Sequence, residues 1–208
     1  MKNLWVLVLI AILFVSCNSR ENQQTSGNKP TSKIPDNPLF NIFNNPIDYA
    51  SLTDQDIRLA TESIQVFTNN TLKNIISVKD EEKTFENTMG AFDQLYGDYA
   101  SIAYSVYLMA YTHPDSLLRN TALESNTILG KFGNDIALNE NLYKAIKSYS
   151  MSDEAKNLNG HRAKFLTETV ARFERNGFAL SKEERDQLKA INNELSTIGD
   201  LFSKNIAA

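Results

Sequence analysis

Two histidines are the residues of this sequence best suited to bind a metal. A catalytic zinc motif places two histidines one helical turn apart with a glutamate between them. His113 and His161 are far apart, and neither has a second histidine four residues away. Ala110 and Leu158 stand three residues before them, which also excludes the Glu-x-x-His pairs of a di-iron bundle. We therefore predict no catalytic residue and no metal ligand in this chain, and interpret both histidines as residues of helix boundaries.

The sequence carries no other motif that indicates catalysis or nucleic-acid binding. It has no Gly-x-Ser-x-Gly elbow, no P-loop and no Gly-x-Gly-x-x-Gly turn. The acidic run at residues 80–82 falls between two predicted helices, so we interpret it as solvated. A net charge of −4 gives no basic surface for nucleic acid.

Four tyrosines share one side of a predicted helix. On a helical wheel they fall within a sector of roughly 80°; they are Tyr96, Tyr104, Tyr107 and Tyr111. The ring of a tyrosine can stack on peptide and its hydroxyl can hydrogen-bond to it, so these residues are a candidate wall of a substrate channel. The alternative is ordinary helix packing with the hydroxyls at the wet rim, and the sequence favours that alternative.

Cys17 is the only cysteine, and its position predicts a lipid attachment site. Residues 4–15 are an apolar run that is shorter than the about 20 residues of a membrane-spanning helix, as in a secretory signal. Residues 13–17 resemble a bacterial lipobox, with Phe14 where leucine is usual. We predict that residues 1–16 are a signal peptide and that Cys17 carries diacylglycerol. An ordinary cleaved signal and an uncleaved anchor are the alternatives.

The segment that follows predicts a flexible connection to the membrane. Residues 17–38 are rich in Asn, Ser, Thr, Gln, Gly and Pro and lack apolar periodicity, which is typical of a disordered tether. Stable anchoring takes at least two lipid chains, which diacylglycerol supplies. We therefore expect the protein in the cell envelope, anchored to a membrane and facing the periplasm or the exterior.

From residue 39 to residue 208 the pattern predicts one all-α domain, an antiparallel helical bundle. Pro114 is expected to end the second long helix, and Gly177 to reverse the chain in a left-handed conformation. Helix starts are predicted at Ser51 or Thr53, Thr84, Asp115 or Ser116, Asn139 and Ser181.

Two helices carry further expectations. The second is apolar over more than half of its circumference, so we expect neighbours to bury it on two sides, with a narrow polar strip that includes Ser105. The last helix still has helical periodicity at residues 205–206, without a capping glycine or a proline. We therefore expect the chain to be a fragment of a longer protein.

Three strings resemble a known family. They are residues 84–88, residues 134–143, and residues 172–180 leading to residues 195–205. In this order and spacing they resemble the N-terminal region of the thimet oligopeptidase and dipeptidyl carboxypeptidase family of zinc metallopeptidases. The resemblance covers roughly residues 39–206. Each string has a scaffold role, since Thr84 caps a helix, Asn139 separates two helices and Gly177 permits a reversal.

The resemblance implies a larger, clam-shaped helical peptidase with a deep channel that admits short peptides. In such enzymes zinc is held by His-Glu-x-x-His and a downstream glutamate, and the zinc-bound water attacks the peptide bond. These residues lie well beyond position 208 in the family, so none maps onto this chain. The chain alone is therefore expected to bind no zinc and to be inactive.

Beside the interpretation as the N-terminal part of such an oligopeptidase, two others stay open. One is a complete short lipoprotein that binds peptides or a protein partner without cleaving them. A purely structural helical lipoprotein is a third alternative. In all three, we expect a monomer attached to a membrane.

Overall fold

The computed structural model describes residues 37–40 and 46–206, and within them the fold is helical with no strand. The predicted all-α fold is thereby confirmed. The α-helices are α1 (Asp54–Ser77), α2 (Ala91–Thr112), α3 (Ser116–Ala137), α4 (Glu140–Ser150), α5 (Asp153–Lys156), α6 (Gly160–Phe173) and α7 (Lys182–Ile206). Short 3₁₀ turns lie at Pro38–Phe40 and Asp80–Glu82.

Side-chain caps begin α1, α3, α4 and α7 at positions that the sequence predicts. At α1, Thr53 Oγ1 accepts the amide of Asp56 at 3.2 Å, and the Asp56 carboxylate accepts the amide of Thr53 at 2.9 Å. Asp115 and Asn139 cap α3 and α4 through their side-chain oxygens. A capping box also starts α7, where Ser181 Oγ accepts the amide of Glu184 at 3.3 Å. Each cap satisfies an amide that the first helical turn leaves unpaired.

The first three long helices enclose the core. Each presents aliphatic side chains at helical spacing, such as Ile57 and Ile64 of α1, Ile102 of α2 and Leu129 of α3, all at most 1% exposed. Burial of each contributes about 1.5–3 kcal/mol. The preceding segment joins this core through Leu39, which is fully buried. Asn37 holds that segment, because its amide donates to the Asp56 carbonyl oxygen at 2.7 Å.

The structure adds local features that the sequence did not indicate. The turn at Phe85–Gly90, before α2, has the wider i→i+5 bonding of a π-helix. A second such segment, Glu174–Phe178, follows α6, and Gly177 within it has φ +130°, the left-handed conformation that was expected. The short helix α5 was not predicted.

One expectation about α2 is confirmed and one is wrong. Neighbours pack on two sides of it, since α1 and α3 both contact α2, although its tyrosine side stays open, with Tyr104 70% exposed and Tyr107 53% exposed. Ser105, assigned to the polar strip, is buried, and its hydroxyl donates to the Ser101 carbonyl oxygen at 2.9 Å. A hydrogen bond within its own helix satisfies a buried serine hydroxyl and lets it lie among apolar neighbours.

The last helix, α7, contacts α3 through polar side chains and turns its apolar side outward. Asn134 Nδ2 donates to Asn193 Oδ1 at 2.9 Å, and Lys189 pairs with Asp135 at 2.7 Å. No residue of α7 is buried. Its apolar stripe is more than half exposed and consists of Ile191, Leu195, Ile198, Leu201, Phe202 and Ile206.

The predicted signal peptide, the lipid site Cys17 and the tether as far as residue 36 lie outside the described residues. Within the described ranges, none of the helices combines the length and the hydropathy that crossing a bilayer requires.

Candidate functional site

Both histidines occupy positions of the kind that the sequence suggested. His113 follows the last residue of α2, and its Nδ1 accepts the amide of Asp115 at 3.1 Å. The other ring nitrogen, Nε2, then carries the proton and donates to the carbonyl oxygen of Tyr49 at 3.2 Å. Both ring nitrogens of His113 are therefore hydrogen-bonded to backbone groups. His161 is exposed on the first turn of α6.

The described residues do not assemble a metal centre. Across residues 37–40 and 46–206, no three His, Cys, Asp or Glu side chains converge in a way that could hold an ion. In the acidic run, Asp80 pairs with Lys83, which keeps the pKa of Asp80 below its ordinary value, and Glu82 pairs with Lys79 at 3.3 Å. These carboxylates are exposed and bound to lysines.

The four candidate tyrosines divide into separate environments. The rings of Tyr107 and Tyr111 pack against each other at a tilt, with centroids 4.7 Å apart, and the Tyr111 hydroxyl donates to Asp200 of α7 at 3.3 Å. Tyr104 is largely exposed. Tyr96 lies about 22 Å from Tyr111 along the helix axis, at 1.5 Å per residue, and borders a cavity that the other three do not line. Their role as a channel wall stays a prediction.

The cavity between α2, α3 and α6 is the candidate site. Its volume is about 270 Å³. Its lining residues are Phe92, Tyr96 and Tyr99 of α2, Gly130, Gly133, Asn134, Ile136 and Ala137 of α3, and Arg172, Phe173 and Asn176 from α6 and the turn after it. An apolar pocket with a few polar groups at its edge is the usual form of a small-ligand site.

Tightly packed aromatic side chains fix the floor of the cavity. The Phe92 ring lies 6.1 Å from that of Phe173, and the Tyr99 hydroxyl donates to the Leu129 carbonyl oxygen at 2.6 Å. Burial raises the pKa of Tyr99 to about 12, so this hydroxyl stays protonated at neutral pH. Gly133 is required beside it, because a Cβ there would approach Tyr99 Oη to 2.8 Å.

The polar edge of the cavity consists of an arginine and two amides. The Arg172 guanidinium lies 5.8 Å from the centre of the Tyr96 ring and forms no ion pair with any described residue. Four residues further on, Asn176 stands at the same edge, and its side chain makes no hydrogen bond within the described part of the chain. The amide of Asn134 is bound to Asn193.

The described carboxylates nearest to Arg172 do not pair with it. Glu174 accepts from Lys147 Nζ at 2.8 Å, which lowers the pKa of Glu174 and keeps it ionised and occupied. Glu168, one turn before Arg172 on α6, is exposed and forms no ion pair with it. Arg175 likewise forms no ion pair with a described residue, but it does not line the cavity. Arg162 and Arg185 are paired, with Glu86 at 2.7 Å and with Glu140 at 3.0 Å.

Comparison with known proteins gives one informative similarity. The chain is 33% identical over 139 residues to a thimet-like oligopeptidase from Dictyostelium discoideum. The match covers 65% of this chain but 21% of the relative, so the matched part spans about a fifth of the relative's length. No family model matches the chain. The similarity supports an oligopeptidase-related helical region.

The sequence analysis did not identify the cavity, although two of its strings meet there. Asn134 belongs to the second string, and Arg172 and Asn176 belong to the third, but all were interpreted as scaffold. Only the four-residue spacing of Arg172 and Asn176 was visible in advance. That an arginine lacks an acidic partner depends on neighbours brought together by folding.

Proposed function

We propose that this chain is the N-terminal helical part of a zinc-dependent oligopeptidase that cleaves short peptides outside the cytoplasm. The similarity to the thimet-like oligopeptidase carries the proposal. In this proposal a lipid on Cys17 holds the enzyme at a membrane, and the described helices form part of the wall around its substrate.

The described residues themselves do not fit a zinc ion. Backbone groups occupy both nitrogens of His113, and His161 stands alone on the surface of α6. The zinc ligands and the catalytic base therefore belong, in this proposal, to sequence other than the described residues. The described helices contribute support and substrate contacts, and no catalytic step is assigned to them.

The outward face of α7 supports a larger protein. Its apolar stripe exposes six side chains on a helix that contacts α3 through polar side chains. Exposed apolar surface of this kind usually marks a contact with another part of a protein. We propose that further helices of the oligopeptidase cover this stripe.

A second candidate function is peptide binding without cleavage by a short lipoprotein. The cavity beside Arg172 favours it, because an unpaired cation next to an aromatic floor suits a peptide ligand. This candidate differs from the first in requiring no residue outside the chain.

The reading frame of the gene separates the two candidates. We expect the frame to continue beyond codon 208 to a His-Glu-x-x-His, and the longer product to cleave a short fluorogenic peptide. Chelation should abolish this activity and added zinc should restore it, whereas a variant with Gln for the motif glutamate should stay inactive. A stop codon directly after Ala208, with peptide binding but no cleavage, would favour the second candidate.

Lipid attachment is tested independently by labelling. Cells that express the chain should incorporate radioactive palmitate into it and retain it in the membrane fraction. Cys17→Ser should lose both, while Ser19→Ala, two residues away, should keep both. Labelling of the Cys17→Ser variant would refute the assignment.

A further inference from the structure

The cavity between α2, α3 and α6 has a chemical character that indicates its ligand. Its floor is formed by the rings of Phe92, Tyr99 and Phe173, and its edge by Arg172 and Asn176. A volume of about 270 Å³ lies just below the range of about 300–1,000 Å³ that is usual for small-molecule sites. It suits one side chain and the polar group attached to it.

We propose that this cavity binds the C-terminal residue of a short peptide, with its aromatic or large apolar side chain on the ring floor and its α-carboxylate on Arg172. The proposal rests on the proposed function only in taking a short peptide as the ligand. It adds a binding site formed by residues of this chain.

The charge of Arg172 carries the argument for a carboxylate. A guanidinium matches a carboxylate with two parallel hydrogen bonds, which makes this pair strong and directional. Arg172 forms no ion pair with an acidic group of the described residues, whereas Arg162 and Arg185 do. Arg175 is also without such a pair, but of these two arginines only Arg172 lines the cavity. Its position over Tyr96 holds the guanidinium at the cavity edge, where a cation over an aromatic face is favourable.

Asn176 supplies a second donor for the same group. Its side-chain amide is exposed, makes no hydrogen bond to a described residue, and lies at the cavity edge together with Arg172. An amide N–H can donate to the carboxylate or to the last peptide carbonyl oxygen. An internal peptide segment has no terminal carboxylate, so the site should prefer chain ends.

A binding experiment with two matched peptides tests the proposal. The full 208-residue chain, in a mild detergent with EDTA, is titrated calorimetrically with acetyl-Ala-Ala-Phe and with the same peptide as its C-terminal amide. We expect the free acid to bind at least about tenfold more tightly, because charge-assisted hydrogen bonds exceed neutral ones by roughly that factor. EDTA makes the result independent of zinc and of peptide cleavage.

Three variants locate the effect. Arg172→Gln should bring the affinity for the acid down to that for the amide, while Arg175→Gln, which alters a neighbouring arginine outside the cavity lining, should leave both unchanged. Ala137→Leu places a larger side chain at the cavity wall and should abolish binding of both peptides without changing the circular dichroism spectrum.

Several results would overturn the site. They are equal affinity for acid and amide, no binding at millimolar peptide by a folded chain, or the same loss in Arg175→Gln as in Arg172→Gln. The oligopeptidase proposal is unaffected by these results, because it depends on the longer gene product and its zinc-dependent cleavage.

Discussion

Tyr99 and Tyr149 are both buried, but they differ in what their hydroxyl groups contact. The Tyr99 hydroxyl donates to the Leu129 carbonyl oxygen at 2.6 Å. The Tyr149 hydroxyl has no hydrogen-bond partner among the described residues, although its side chain is fully buried. A made hydrogen bond contributes about 1 kcal/mol, whereas an unmade buried one costs about 1–3 kcal/mol.

The two tyrosines therefore predict opposite effects of the same substitution. Tyr99→Phe should lower the free energy of unfolding by about 1 kcal/mol, since it removes the bond to Leu129. Tyr149→Phe should leave it unchanged or raise it by up to about 1 kcal/mol, since it removes an unpaired polar atom. Urea unfolding at pH 7 measures both, and a larger loss in Tyr149→Phe than in Tyr99→Phe would contradict the structure.

Alkaline pH should reduce the contribution of Tyr99. Burial raises its pKa to about 12 in the folded chain, against about 10 in an unfolded one. Between these values the unfolded chain has released a proton that the folded chain still holds, so stability is full below pH 10 and falls as pH approaches 12. The stability difference between the natural chain and Tyr99→Phe should therefore shrink over this range.

At the scale of elements, helix starts were predictable because a cap depends on neighbours three residues away. Thr53, Asp115, Asn139 and Ser181 all cap through their own side chains. The π-helical turn before α2 and the short helix α5 were not predictable, since their bonding depends on how the chain fits against other helices. Propensity alone does not decide such cases.

The reversal after α6 depends on a glycine, and a second glycine provides a control. Gly177 has φ +130°, and a Cβ there would approach Leu188 Cδ2 to 3.0 Å. Gly177→Ala should therefore lower the free energy of unfolding by at least about 1 kcal/mol. Gly97 lies in the middle of α2 on its exposed side, and a Cβ there would meet no atom within 4 Å. Gly97→Ala should therefore raise the free energy of unfolding by about 0.5–1 kcal/mol. Thermal unfolding of the two variants compares them directly.

The cavity and the orientation of α7 could not be read from periodicity. A regular apolar spacing shows that α7 has an apolar side, but it does not show which side faces the body. In the structure, Asn193 and Asp200 face α3 while Leu195 and Phe202 point outward. Which residues a polar side chain bonds to is decided only when helices that are distant in the sequence pack together.

At the scale of the whole molecule, we expect the 208-residue chain to take up no stoichiometric zinc and to hydrolyse no peptide. The reason is that both nitrogens of His113 bond to backbone groups, which leaves His161 without a second imidazole among the described residues. Equilibrium dialysis with zinc and a fluorogenic peptide assay measure this. One zinc per chain that is lost in His161→Ala but retained in His113→Ala would contradict the assignment of the histidines.

The polar contacts between α7 and the helices α2 and α3 affect how readily α7 opens. The Asp200 carboxylate of α7 accepts three of these hydrogen bonds, from Asn126 Nδ2 at 2.8 Å, Thr127 Oγ1 at 2.5 Å and the Tyr111 hydroxyl at 3.3 Å. Water competes for such bonds, whereas it does not replace buried aliphatic contacts. Segments with little buried apolar surface open locally at low free energy.

We therefore expect α7 to open before the rest of the domain. In native-state hydrogen exchange, the amides of α7 should exchange faster than those of α1, and Asp200→Ala should accelerate α7 alone. Asp186→Ala, which alters an exposed carboxylate of the same helix bound to Lys182, should have a smaller effect. Equal protection of α1 and α7 would contradict this. A helix that detaches so readily would leave the aliphatic interior of α1 to α3 intact, so the three-helix centre can persist while its last helix exchanges between bound and free states.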